Sequence, residues 1–260
     1  MSSLMSRQYG INLEKKRALV EGRLGSAASI AGFASIHDYI EDILNDKSSQ
    51  KINRLVASLT TNYTYFLREE CHFDFMAQTA LPELQKKIKN HDLRTWSAGC
   101  SSGEEAYTAA MVIDDFFDIG KSAWDTTILA TDISQQVLRA AKRGVYPIES
   151  LERLPAKWKL KYFTTVASGK EALISDDLKK EVVFAAFNLM ESFSRFHKRF
   201  HIIFCRNVMI YFDTPTKAAL IRRFYDALEP GGYFFIGMSE TLSGIDNSFR
   251  QIAPAIYRKG

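Results

Sequence analysis

The residues best suited to chemistry cluster in four short stretches. The first is Trp96-Ser-Ala-Gly-Cys-Ser-Ser-Gly-Glu-Glu105, an apolar run that ends in a turn with two glycines and two acids. Glycine lets a backbone approach a ligand closely, so Gly99 is a candidate contact; the alternative is a tight turn and nothing more. Glu104 and Glu105 at a helix start would complement the helix dipole. They make a poor phosphate cradle, and Glu105 suits a ligand carrying an amine or hydroxyls. The second stretch is Asp132, closing the β-branched run TTILATD. An acid at such a strand end takes ribose hydroxyls in nucleoside-binding sheets, or caps the next helix, where Ser134 fits better. The third and fourth are Asn188-Leu189 after EVVFAAF and Asn207-Val208 after FHIIFCR. Each asparagine is a turn former or a ligand contact.

Other reactive types show no such pattern. Cys71, Cys100 and Cys205 contain no CxxC pair, which argues against a disulfide framework and against zinc. His197 and His201 are four apart, but a strand-like IIFC follows at once. The expectation is no metal.

These residues need elements to hold them. Residues 10 to 60 read as helices: LEKKRALVEGRL with Leu13, Leu19 and Val20 on one side, then IHDYIEDIL with Ile36, Tyr39, Ile40, Ile43 and Leu44, then INRLVASL. FDFMAQTALPELQKKIK reads as a helix that tolerates Pro82. Strands and helices then alternate: RTWSAG, GEEAYTAAMVIDDFFD, TTILATDI, SQQVLRAAKRG, EVVFAAFN, FHIIFCRN, PTKAALIRRFYDALEPGG and YFFIGM. Ser134 is the expected cap and Gly144 the expected stop of SQQVLRAAKRG. SFRQIAPAIYRK supplies a last pair of edge segments. The alternation predicts a parallel sheet wrapped by helices, a Rossmann-like α/β fold. The stretch between Tyr146 and Glu181 breaks it. There, WKLKYFTTV, EALIS and EVVF could form a small antiparallel insert, or the stretch is one helix and a loop. The expected division is a helical domain over 1–62, a linker and first helix over 63–92, and an α/β domain over 93–260 with the insert at 155–182.

Composition sets limits. The 260 residues are 46% apolar and 25% charged, ordinary for a globular protein. No run reaches the ~18 apolar residues of a membrane span. The start of the chain lacks a signal-peptide core, so export and membrane insertion are not expected and the cytoplasm is the default. A net charge of +4, scattered along the chain, disfavours nucleic acid.

LTTNYTYFLRE, WSAGCSSGEEAY, ATDIS, FNL, FCRNVMIYF and LEPGGYFFIGMSE resemble, in order, the chemotaxis receptor methyltransferase (CheR) family, over about residues 10 to 250. The resemblance implies a helical N-terminal domain before a methyltransferase domain that binds S-adenosylmethionine (SAM), gives S-adenosylhomocysteine, and carries a small β-subdomain. It implies methyl transfer to receptor glutamates. It also implies cofactor contacts by Asn62, Thr64, Arg68, Glu105 and Asp132, with Asn188, Leu189, Asn207 and Val208 as the remaining wall.

The chemistry agrees. A glutamate with a pKa near ~4.3 is already a nucleophile at neutral pH, so no catalytic base is required. Arg68 and Tyr211 are the expected groups orienting a carboxylate; otherwise Arg68 is a surface residue paired with Glu69 or Glu70, and Tyr211 is core. Lys15, Lys16, Arg17 and Arg23 would dock on the acidic helical cytoplasmic domain of a receptor, or form a solvated face. Family members that grip a receptor tail by strand addition carry a Gly-rich loop in the β-subdomain. TTVASGKEAL has only Gly169, so independence from a tail is expected. The expected state is a monomer. The rival readings are a SAM methyltransferase with another substrate and a non-catalytic SAM-binding module.

Overall fold

A computed structural model describes Met5, Tyr9 and residues 17–46, 49–59, 62–245 and 248–260. The chain begins with three helices: α1 (Arg17–Ile30), α2 (Ile36–Asn45) and α3 (Ser49–Leu59). Ser35 caps α2, its hydroxyl accepting from Asp38 N–H at 3.1 Å. Val20, Leu24, Ala28, Tyr39, Ile43, Leu55, Val56 and Leu59 close a core of their own. Ile36 and Ile40 pack against it, but Leu44, expected on the same stripe, is exposed. Leu13, Lys15 and Lys16 lie outside the described residues, as does the side chain of Arg17. Arg23 does not simply face solvent. Its Nη1 donates to the Leu59 carbonyl at 2.9 Å and ties α1 to the end of α3.

Two helical pieces follow, α4 (Cys71–Phe75) and α5 (Leu81–Lys87), joined by a π-helical turn over Met76–Ala80. Pro82 sits in the first turn of α5, where its missing N–H is an orphan anyway.

The strands are β1 (Thr95–Ala98), β2 (Ile128–Asp132), β3 (Val145–Pro147), β4 (Phe163–Thr165), β5 (Glu171–Ile174), β6 (Val182–Ala186), β7 (Phe200–Cys205), β8 (Leu228–Ile236), β9 (Phe249–Ala253) and β10 (Ile256–Lys259). Seven form one sheet in the order β6-β2-β1-β7-β8-β10-β9. The first five run parallel, and β10 is antiparallel to both β8 and β9. Helices α6 (Glu104–Phe117), α7 (Gln135–Arg143) and α10 (Thr214–Ala227) connect the parallel strands. The α/β reading therefore holds, with an antiparallel edge. Strands β1 and β7 are buried throughout. Between them the strand order reverses, and a crevice opens at their carboxyl ends. Beneath lies Trp96, ringed by Phe187, Phe193, Phe196, Phe200 and Phe224, its indole N–H on Thr131 Oγ1 at 2.9 Å.

Several local expectations change. The small antiparallel sheet exists, in the order β3-β5-β4, but it uses 145–147, 163–165 and 171–174. WKLKY is helical in α8 (Ala156–Tyr162), and a short α9 (Asp176–Lys180) follows β5. EVVF belongs to β6 of the main sheet. That strand is not buried on both faces: as an edge strand it leaves Val183 half exposed. The tail does not simply add edges, because β10 lies between β8 and β9. Helix α10 starts at Thr214, with the Asp213 carboxylate capping Thr216 N–H, and stops before LEPGG, which opens β8. Gly144 ends α7 in the left-handed region, φ 62°, as expected. Ser134 occupies the cap position, but its hydroxyl makes no capping bond.

Candidate active site

Several segments meet at a cavity that opens to solvent over the carboxyl edge of the sheet. The turn after β1 brings Gly99, Cys100 and Ser101, and the first turn of α6 brings Glu105. Asp132 and Ile133 come from the end of β2. Phe187, Asn188 and Leu189 follow β6. Arg206, Asn207 and Val208 follow β7, and Tyr211 and Phe212 come from the turn after them. Asn62, Tyr63, Thr64 and Arg68 arrive from the segment between α3 and α4, and Tyr9 from the N-terminal region. The structure thus brings every residue expected to contact the cofactor or to orient a carboxylate to one cavity, while Glu104 is not among its lining. Thr60 and Thr61 lie outside the described residues.

Gly99 is fixed by geometry. Its φ is 93°, and a Cβ there would lie 2.5 Å from Val208 Cγ2. A glycine is what allows the β1 turn and the β7 turn to touch. Among the bonds that hold segment 62–70 in place, Ser101 Oγ donates to the Asn62 carbonyl at 2.8 Å, Leu67 N–H to Thr108 Oγ1 at 3.4 Å, and the Arg206 guanidinium to the Arg68 carbonyl. Leu67, Glu69, Ser101 and Asn207 all take left-handed φ near 50–60°. Such strain costs on the order of 1–3 kcal/mol each and gathers at functional sites.

The carboxylates divide into two kinds. Asp132 accepts Ser101 N–H and Ser134 N–H, both at 2.9 Å. Burial pushes its pKa up, opposed by these amide bonds. Glu105 accepts the Ser97 hydroxyl at 2.7 Å and Arg206 Nη1 at 3.0 Å. Burial raises its pKa too, opposed chiefly by the Arg206 charge. Glu69 is different. Burial would raise it, yet Arg206, Met238 N–H and the Asn207 amide together hold it below the usual carboxylate range.

Arg206 was not singled out in the sequence. Its side chain is 2% exposed and carries ion pairs to Glu105 and to Glu69 at 3.2 Å. The local signal was slight: an arginine at the end of an otherwise apolar strand run, FHIIFCR. Glu240 was also missed. It accepts Asn207 N–H, Gly237 N–H and Ile210 N–H at 2.9, 2.7 and 3.1 Å and straps the turn after β7. Arg68 forms no pair with Glu69; its Nη1 donates to the Tyr63 carbonyl at 2.9 Å. Asn188 accepts Met190 N–H at 2.9 Å, so it serves its turn while also lining the cavity.

The donor set suits a nucleoside bearing a cation better than a phosphate. The cavity is walled by Ile133, Phe187, Leu189 and Val208 and lined by two buried carboxylates, with no lysine among its described lining residues. Comparison with known proteins agrees. Residues 62–257 match the model of the CheR methyltransferase SAM-binding domain, and residues 1–60 that of the CheR methyltransferase all-alpha domain.

The chain belongs to the CheR methyltransferase family.

It is 41% identical over 260 residues to a chemotaxis protein methyltransferase of Borreliella burgdorferi, covering 98% of this chain and 91% of that one. It is 33% identical to the chemotaxis protein methyltransferase of Escherichia coli, covering 99% and 88%. A solved SAM-dependent methyltransferase from Mesorhizobium loti is similar at a TM-score of 0.31 and 17% identity over 62% of this chain and 54% of that one. By the family match the chain is a SAM-dependent methyltransferase of the CheR family, and the Glu105 and Asp132 carboxylates of its cavity suit a ligand that carries a cation and hydroxyls.

Proposed function

We propose that this enzyme esterifies glutamate side chains on the helical cytoplasmic domain of chemotaxis receptors. The observation that carries the reading is the convergence of Arg68, Glu105, Asp132, Asn188, Asn207 and Tyr211 on one cavity at the β1/β7 switch point. Bound SAM supplies a methyl carbon activated by the positive sulfur. Transfer to a carboxylate oxygen would form a carbon–oxygen bond and break the carbon–sulfur bond, whose electron pair would stay on sulfur. No proton moves, so no catalytic base is required.

What the chain supplies is alignment and dryness. Asp132 would take the ribose hydroxyls, and Glu105, steadied by Ser97 and Arg206, would take the ammonium end. Arg68 and Tyr211 orient a carboxylate beside them. Ile133, Phe187, Leu189 and Val208 keep water from the line of attack, which matters because a negative and a positive charge cancel on transfer. Held in near-attack geometry, reactants gain roughly 7–11 kcal/mol. The names of the relatives support the chemotaxis partner. A cytoplasmic enzyme independent of a receptor tail completes the reading; the turn between β4 and β5 has Gly169 alone for flexibility.

The test is transfer of labelled methyl from SAM to receptor cytoplasmic fragments, followed by mild alkali. Release of the label as methanol establishes a carboxyl ester. Alkali-stable label overturns the glutamate claim. SAM binding without transfer favours a non-catalytic module.

A further inference from the structure

On the reading that the acceptor is a glutamate on a receptor helix, we infer that Tyr63, Ile210 and Met238 form an apolar rim that grips the helix residues one turn to either side of that glutamate. These side chains are 71%, 40% and 49% exposed. Other large apolar side chains this exposed among the described residues are scattered: Ile30 and Leu44 on the helical bundle, Ile148 and Leu160 near the small sheet, Val183 on the edge strand. Tyr63 lines the cavity, and the backbones of Ile210 and Met238 are tied to two carboxylates that also hold Asn207 of its lining.

Tyr63 lines the cavity, and its carbonyl receives Arg68 Nη1 at 2.9 Å. Met238 N–H donates to Glu69 Oε1 at 3.1 Å, and the same oxygen accepts Asn207 Nδ2 at 3.3 Å. Ile210 N–H donates to Glu240 Oε1 at 3.1 Å, while Glu240 Oε2 accepts Asn207 N–H at 2.9 Å. The backbones of both exposed residues thus stand one carboxylate away from Asn207, which lines the cavity. Beside Met238 the packing is close: a Cβ on Gly237 would lie 2.4 Å from Asn207 Nδ2.

Exposed apolar groups clustered on a rigid mount mark a binding surface, because little ordering is lost when a partner lands. The mount also sets the partner's chemistry. Glu69 and Glu240 are engaged by backbone amides and Arg206, so the rim offers apolar surface without an unmatched charge behind it. On a helix, residues three and four apart share a face, with roughly 5–6 Å between Cβ atoms. A glutamate reaching into the cavity therefore presents its one-turn neighbours to the rim. Apolar neighbours fit it; charged ones are left without partners.

The experiment is the double variant Ile210→Ser with Met238→Ser, assayed by labelled methyl transfer to a receptor cytoplasmic fragment, with SAM affinity measured by calorimetry. The expected result is a KM for the fragment raised about tenfold, with kcat within about twofold and SAM affinity unchanged. Ile210→Leu with Met238→Leu should restore KM. An unchanged KM in the serine variant overturns the rim. A parallel loss of SAM affinity also overturns it, by tracing the defect to the cofactor cavity. If the unsubstituted enzyme forms no alkali-labile ester, the proposed reaction falls and the rim with it, an outcome distinct from both.

Discussion

Two sides of the same cavity treat charge differently. On the β7 side, Arg206 is consumed: Glu105, Glu69 and the Arg68 carbonyl take its donors. On the other side, the charges of Arg68 and Asp132 rest on backbone alone, the first on the Tyr63 carbonyl and the second on Ser101 and Ser134 amides. Neither forms an ion pair among the described residues. A charge balanced by a counter-ion is part of the scaffold. A charge held in place by backbone dipoles keeps most of its field for a ligand. The contrast separates two arginines that a sequence cannot rank: Arg206 is held within the scaffold by Glu69 and Glu105, and Arg68 lines the cavity without a counter-ion among the described residues.

The sharpest way to break the contrast is Arg206→Met. It leaves buried Glu69 and Glu105 without their cation, at a cost of about 3–5 kcal/mol in stability by urea unfolding. Adding Glu105→Gln should recover part of the loss. A wild-type urea midpoint for the single variant would show that the cluster is not structural. Arg68→Ala should do the opposite. Turnover drops on the order of 10²–10³-fold while the urea midpoint stays put. Near-normal turnover would remove Arg68 from the mechanism.

The paired side also predicts a pH response. Burial, with Arg206 beside it, pushes His72 down to about 4, opposed by Glu69; burial and Arg94 do the same to His201. The unfolded histidines take up protons near pH 6.5 and the folded ones only near 4. The unfolded state therefore binds more protons in that window, and stability present above pH 6.5 is lost as pH falls toward 4. The loss is on the order of 3 kcal/mol per histidine. Thermal melts from pH 7 to 4 check this, and His72→Gln should flatten the slope. A melting temperature indifferent to pH would contradict it.

The smallest effect is expected at Asp132. Asp132→Asn should weaken SAM binding by about tenfold to a hundredfold in calorimetry, the value of one charge-assisted hydrogen bond of about 1.5–3 kcal/mol. The fold should persist, because the asparagine carbonyl oxygen still accepts an amide N–H. Unaltered affinity would place the ligand elsewhere.

Much of this was legible in the chain. Gly99 was readable because a glycine after an apolar run marks a close approach, and φ 93° against Val208 is that approach. Asp132 was readable from its place at the end of a β-branched run. The small antiparallel sheet is present as expected, but its strands were misassigned because WKLKYFTT has no clean period, and a Pro155 start made its first half helical in α8. Arg206 and Glu240 were overlooked because their partners lie far along the chain: Arg206 bonds at separations of 101 and 137 residues, and Glu240 bonds Asn207 from 33 away.

The sequence by itself determined the elements. Period, propensity and punctuation act within a dozen residues, so the alternating strands and helices, the glycine turn and the acid after β2 were set locally. Tertiary structure alone decided which charges cancel. Hydrogen bonds and ion pairs depend on distances of 3 Å between groups from different segments, and those distances exist only once β1 and β7 lie side by side. The same juxtaposition turned Arg206 into scaffold and left Arg68 and Asp132 facing the cavity.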